Sequence, residues 1–194
     1  MTKRKIRLGI VFTYILIFIQ VLFALTFLLN FSAESYDDKK EIIYQISYAY
    51  AYVSILVLIR RLIIDNISIS KNLTWIIQLE ILKALSSILV SANIYQVKIL
   101  VSLFGLILII LYIIFIVNIL NKKYDDKLEI KELRPYVIAL IFGFIITLIG
   151  GIYAEYNREF EIYGILNLIL AIPYFFIIGY FNKMKTEIEK MPNR

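Results

Sequence analysis

The chain has 194 residues, of which 61% are hydrophobic, and its 21 Lys and Arg outnumber its 15 Asp and Glu to give a net charge of +6. It contains no Cys and no His, which excludes disulfides, thiolate chemistry, Ser-His nucleophiles and metal sites built on imidazole. A soluble domain of this length cannot hide so much apolar surface in one core. The composition therefore predicts a membrane protein.

Six apolar stretches organise the sequence. Each is 18–24 residues long. A helix that rises about 1.5 Å per residue needs about 20 residues to cross a hydrocarbon core of about 30 Å. The gaps between the stretches hold only short loops, so we predict a single all-α domain over residues 1–194, a polytopic bundle of six transmembrane helices. The predicted spans are 8–31, 42–59, 73–92, 97–120, 135–154 and 162–181.

The basic residues indicate the orientation of these spans. Sixteen Lys and Arg flank the spans on one side, four flank them on the other, and Lys83 lies inside a span. Because positive charge in short loops stays in the cytoplasm, we predict that both termini are cytoplasmic, in a bacterial inner membrane. The net charge then reflects topology and attraction to the lipid bilayer, and no nucleic-acid partner is expected.

The third span carries the ionisable residues that lie deepest in an apolar stretch, Glu80 and Lys83. Three residues apart on a helix, they share one face, which Ser87 and Ser91 continue. A charge near the centre of a membrane costs about 2.5–3.5 kcal/mol, so this face is expected to look into the bundle. We predict a substrate or ion site at Glu80, Lys83 and Ser87. The alternatives are a structural ion pair, or a displaced span that puts Glu80 near the cytoplasmic interface.

The fifth span has a stripe of small residues at four-residue spacing. Such a stripe lets a second helix approach closely, and we predict that it packs a helix. A groove that holds a substrate is the alternative. The stripe consists of Ala139, Gly143, Thr147 and Gly151, with Gly150 beside it.

The sixth span contains Asn167 and Pro173. Proline leaves the carbonyl near Ile169 without its helical donor, and such irregular backbone is tolerated where it lines a cavity. We predict that Asn167 and this backbone complete the polar site of the third span. A purely structural kink is the alternative.

The second span has a row of tyrosines, Tyr44, Tyr48 and Tyr52, with Tyr50 on another side. Because Tyr is enriched where membrane helices meet water, the row is predicted to be an interfacial aromatic belt. A stacking site for a ligand is the alternative. The charged segment 121–134 is predicted to extend the fourth helix or to lie on the membrane surface.

A short string occurs twice, as YDDKKEI at 36–42 and YDDKLEI at 124–130, with six of seven residues identical. Three spans separate the copies, so they fall on opposite sides of the membrane, as an inverted 3+3 repeat requires. Coincidence in a chain rich in these residues is the alternative. Both copies also read Asp-Asp-x-x-Glu, which we interpret as ordinary solvated acids and not as a magnesium site.

No motif for a catalytic centre, a metal or a cofactor occurs, so none is predicted and a non-enzymatic protein is favoured. One hypothesis is a small transporter or a substrate-binding membrane subunit of one. The alternative is a non-transporting helper, such as a bacteriocin-immunity or regulatory membrane protein. An intramembrane enzyme acting on lipid would have to work with carboxylates alone. The expected protein partner is a second copy, another membrane protein or an ATPase subunit.

Overall fold

The computed structural model describes residues 3–28, 38–91, 97–124, 126–157 and 161–190. Within these ranges the chain is helical, with turns and no strand. Six of the described helices are long and apolar enough to cross a membrane, which confirms the predicted all-α architecture and its six helices of membrane-spanning length. The helices are α1 (Lys3–Leu28), α2 (Asp38–Leu62), α3 (Ile67–Ser91), α4 (Lys98–Leu120), the short α5 (Leu128–Lys131), α6 (Arg134–Asn157) and α7 (Glu161–Lys190).

The α3 and α7 helices extend furthest beyond their predicted apolar stretches. The α3 helix begins at Ile67, because the Asn66 side chain caps it and accepts a hydrogen bond from the Ile69 backbone N–H at 3.3 Å. The α7 helix continues to Lys190, where the ammonium group of that residue pairs with Glu187 at 2.8 Å. Hydropathy marks only the apolar part of a helix, so neither extension follows from it.

The six long helices form a ring. In it α1 packs against α7 and α2, α2 against α3, α3 against α4, and α7 against α6. The contact between α4 and α6 closes the ring and is the sparsest of the six. Arg134 fastens this seam, because its guanidinium donates hydrogen bonds to the backbone oxygens of Ile119 and Asn121, each at 2.9 Å.

Glycines bring α1 and α7 together at both ends of their contact. A Cβ on Gly9 would lie 2.8 Å from the Phe181 ring. A Cβ on Gly164 would lie 2.7 Å from Leu28 Cγ and 2.9 Å from the Ala24 backbone oxygen. Only the absence of a side chain permits these approaches.

The core is concentrated at one end of the ring, which we call the basic end: α1 begins there, α2 ends there, and it carries Arg60, Arg61 and Arg134. Apart from Ser86, the buried residues of α3 lie in its first half. The buried apolar residues of α2 and α7 lie mostly in the second halves of those helices. These segments all belong to the basic end. Toward the opposite end, α1, α6 and α7 keep buried residues such as Ala24, Ala154 and Leu166.

The segment 121–134 differs from its prediction. The α4 helix ends at Leu120, since Asn121 is extended with ψ of 127°. Beyond it Ile130 and Leu133 are buried against the core at the basic end, so the segment does not extend α4 but packs against the bundle. Glu132 also pairs with Lys183 of α7 at 2.5 Å. Burial of two apolar side chains outweighs the preference of the neighbouring charges for an exposed helix.

Candidate functional site

The inward face of α3 changes character at Glu80. Ile69, Leu73 and Ile76 follow one another on this face at helical spacing, and all three are fully buried. Glu80 occupies the next position on the same face and is only partly buried. Its carboxylate therefore lies inside the ring, where the closely packed basic end gives way to a looser interior.

The carboxylate is held by tyrosines from two other helices. The Tyr112 hydroxyl of α4 donates a hydrogen bond to Glu80 Oε1 at 2.7 Å. The Tyr52 hydroxyl of α2 lies 2.7 Å from the Tyr112 oxygen. Because Tyr112 has a single hydroxyl proton, Tyr52 acts as the donor in this second bond. A hydrogen-bonded chain thus runs from α2 through α4 to α3.

The tyrosine row of α2 faces the interior of the ring. The ring centroids of Tyr44 and Tyr48 are 6.0 Å apart, and those of Tyr48 and Tyr52 are 5.9 Å apart. The Tyr48 hydroxyl lies 3.2 Å from the hydroxyl of the buried Tyr174 on α7. For Tyr48 and Tyr52 the interfacial-belt prediction is therefore wrong, because inward hydroxyl partners hold them in the bundle. Tyr50, on another side of α2, is exposed.

Two further polar side chains border this cluster and were not predicted from the sequence. Gln20 of α1 is only 3% exposed, its side chain lies beside the Tyr48 hydroxyl, and its amide oxygen has no hydrogen-bond partner among the described residues. Tyr136 of α6 is 2% exposed, and it lies close enough to Tyr48, Tyr52 and Glu80 to interact with them electrostatically. An amide in the middle of the first apolar stretch was the available signal for Gln20.

Glu80 and Lys83 do not form the structural ion pair that was one alternative to a ligand site. No Lys or Arg in the described part of the chain lies within 4.0 Å of the Glu80 carboxylate. Lys83 and Ser87 are partly buried and continue along α3 toward the end opposite the basic end. Asn167 donates its amide N–H to the Tyr163 backbone oxygen at 2.8 Å, one turn earlier in α7. Within the described part of the chain, no hydrogen bond joins Ser87 or Asn167 to Glu80.

The small-residue stripe of α6 borders α7 over part of its length. A Cβ on Gly143 would lie 3.7 Å from Pro173 Cγ and 4.0 Å from the Ile169 backbone oxygen, the acceptor that Pro173 deprives of its helical donor. Around Gly151 nothing described lies within 4 Å of that position. At the neighbouring Gly150 a Cβ would meet Leu166 Cδ2 at 2.5 Å.

Both halves of the stripe also line shallow grooves. Ala139 and Gly143 border a groove of about 500 Å³ between α6 and α7. Thr147 and Gly151 border another, of about 710 Å³, and the Thr147 hydroxyl donates to the Gly143 backbone oxygen at 2.7 Å. The structure therefore places the stripe at a helix contact and on a groove at once.

No protein-family model, no curated protein and no solved structure matches this chain. The assignment of a site therefore depends on the geometry alone. That geometry assembles one carboxylate, five tyrosines and an amide from all six long helices, with Glu80 at the boundary between the packed and the looser halves of the ring.

Proposed function

We propose that the protein is an integral membrane protein of the bacterial inner membrane with both termini in the cytoplasm. We propose further that it is a small transporter, or the substrate-binding membrane subunit of one, with its site at Glu80. The observation that carries this proposal is the chain Tyr52–Tyr112–Glu80, which ends on a carboxylate inside the ring. The orientation rests on the distribution of Lys and Arg.

The Glu80 carboxylate is costly to hold inside a membrane. An acidic side chain at membrane depth costs about 2.5–3.5 kcal/mol, and it is retained most readily where protein or water surrounds it. Within the described structure Glu80 accepts a hydrogen bond from Tyr112 and has no basic partner within 4.0 Å. A proton or a cationic group of a substrate would neutralise it. The hydroxyls of the tyrosine cluster would then orient that group.

The burial pattern supports access from the side opposite the basic end. Along α3 the side chains of Glu80, Lys83 and Ser87 are partly buried. Nearer the basic end, Leu73 and Ile76 are fully buried. A ligand from the non-cytoplasmic side would therefore reach Glu80 along α3. Release into the cytoplasm would require the packed basic end to open.

Cysteine accessibility tests the location of the site, because the native chain has no Cys. In intact cells, a Ser87→Cys variant should react with a membrane-impermeant maleimide, and a Leu73→Cys variant should not. Binding tests the role of the carboxylate: Glu80→Gln should abolish ligand binding while the protein remains inserted and folded. Equal labelling of the two cysteine variants, or normal binding by Glu80→Gln, would contradict the proposal.

A non-transporting helper is the second candidate, and the exposure of α4 favours it. The buried residues of α4 are Leu108, Phe115 and Ile119, and most of its other large apolar side chains are exposed. Such a large exposed apolar face is typical of an interaction surface, and a helper would use it to bind another membrane protein. Stable co-purification of a partner membrane protein, with no response to any small molecule, would favour the helper function.

We also propose that the two halves, 1–95 and 96–194, are related as an inverted repeat. The hypothesis requires α1, α2 and α3 to superpose on α4, α6 and α7 after rotation about an axis in the membrane plane. The first copy of the repeated string lies partly outside the described residues, and the second contains the undescribed residue 125. If α3 cannot be overlaid on α7 while α1 overlays α4, the string is a coincidence.

A further inference from the structure

A trough runs along the outer face of α2, which is set back between α1 and α3. Its volume is about 710 Å³, within the roughly 300–1,000 Å³ of ligand sites in proteins. Phe12 of α1 forms part of one wall and Leu85 of α3 part of another, while Val53 and Val57 of α2 form the floor. The lining is apolar over almost all of its area.

One end of the trough is charged. Arg61 is the charged residue among those that line it, and Arg61 is exposed at the basic end. The neighbouring Arg60 turns to α3 instead, where its Nε donates to the Thr74 hydroxyl at 2.6 Å. Arg7, which precedes the lining residue Leu8 on α1, is also exposed at this end. The trough therefore combines an apolar floor with a positive group at its mouth.

The length of the trough suits a lipid chain. Ile46 and Arg61 of α2 both line it, and the 15 steps between them correspond to about 22 Å of helix. This exceeds one leaflet, which is half of the roughly 30 Å hydrocarbon core. An acyl chain in the trough would cover the apolar floor, and its headgroup would lie at Arg61.

We propose that this trough is a binding site for an anionic phospholipid, with the headgroup phosphate on Arg61 and an acyl chain along α2. Charge complementarity selects the headgroup, because a basic side chain near a membrane surface favours anionic lipid, while a zwitterionic headgroup gains little from it. The site is separate from Glu80 and independent of the proposed transport function.

Native mass spectrometry of the detergent-purified protein tests the proposal, with phosphatidylglycerol and phosphatidylcholine of identical chains as probes. Wild type should retain phosphatidylglycerol more strongly. The Arg61→Gln variant should lose about fivefold in that affinity, which corresponds to the ~1 kcal/mol of one basic residue near an anionic surface. The matched control is Lys71→Gln, which removes an exposed charge at the same end that does not line the trough. It should leave the affinity unchanged.

A second variant tests the acyl chain. Ala84→Trp fills the trough from α3 without changing its charge, and it should weaken retention of both lipids. Thermal unfolding in detergent shows whether each variant remains folded. Equal retention of the two lipids by wild type would overturn the proposal. An equal loss of phosphatidylglycerol affinity in Arg61→Gln and Lys71→Gln would also overturn it, as would unchanged lipid retention by a folded Ala84→Trp. A protein that co-purifies in place of lipid, and that Ala84→Trp releases, would overturn it as well.

Discussion

The Tyr112 hydroxyl donates a hydrogen bond to the Glu80 carboxylate across the α3–α4 contact, with 2.7 Å between the two oxygens. The same hydroxyl accepts from Tyr52, so a single residue of α4 joins α2 to the carboxylate of α3. This arrangement gives the intramembrane acid a polar environment without a basic partner in the described structure. It links the stability of the bundle to the candidate site.

Replacing Tyr112 with Phe should therefore destabilise the protein. The change leaves Glu80 without its described donor, and the loss of a hydrogen bond to a charged group costs about 1.5–3 kcal/mol. The measurement is thermal unfolding in detergent. Tyr153→Phe, which removes a hydroxyl from an exposed ring, is the control and should unfold like wild type. Identical behaviour of the two variants would show that the Tyr112 hydroxyl contributes nothing.

The helices and the inward face of α3 could be predicted from the sequence, because apolar length and helical spacing are local properties. The partner of Glu80 could not. Lys83 is adjacent on the same helix, whereas Tyr112 lies 32 residues away and meets the carboxylate only once α3 and α4 have packed. The inward direction of Tyr48 depends in the same way on Tyr174, 126 residues further along the chain.

The glycines of α6 show a similar limit. The four-residue spacing selects Gly151, yet a Cβ would find nothing described within 4 Å there, while Gly150 faces Leu166. Which of two neighbouring glycines meets α7 depends on how the helices cross, and sequence spacing does not specify a crossing angle. A stripe of small residues therefore indicates the side of a helix more reliably than the individual contact.

The α1–α7 contact should be sensitive to a single methyl group. In Gly164→Ala the new Cβ would lie 2.9 Å from the Ala24 backbone oxygen, which cannot move without shifting α1, so a loss of about 1–3 kcal/mol is expected. Gly151→Ala adds the same group to open space and should be neutral or stabilise by up to about 1 kcal/mol. Unfolding of both variants is compared in detergent. A Gly164→Ala protein as stable as Gly151→Ala would contradict the close contact.

The segment 121–134 should be held to the bundle more by its buried apolar side chains than by the ion pair between Glu132 and Lys183. Leu133 is fully buried, so Leu133→Ala should cost about 2–5 kcal/mol. The Lys183 side chain is half exposed, and Lys183→Gln should cost about 1 kcal/mol at most. Unfolding at low and high salt separates the two, because only the ion pair is screened. A larger loss from Lys183→Gln would reverse this order.

The topology makes its own prediction. A reporter fused after Arg194 should be active only in the cytoplasm, and one inserted near Asp37, which lies outside the described residues, only on the other side. Two reporters active on the same side would require an even number of membrane crossings between the two positions, whereas five long helices lie between them. A C-terminal tag labelled from outside would overturn the orientation.

The most direct test of the Glu80 site is a thermal-shift screen of purified wild type and Glu80→Gln in parallel, against metabolites, lipids and ions. A ligand that binds the folded form raises its unfolding temperature. We expect at least one cationic ligand to stabilise wild type and to leave Glu80→Gln unaffected, while both proteins unfold cooperatively without it. Stabilisation of both proteins by the same ligands, or of neither by any, would contradict a ligand site at Glu80.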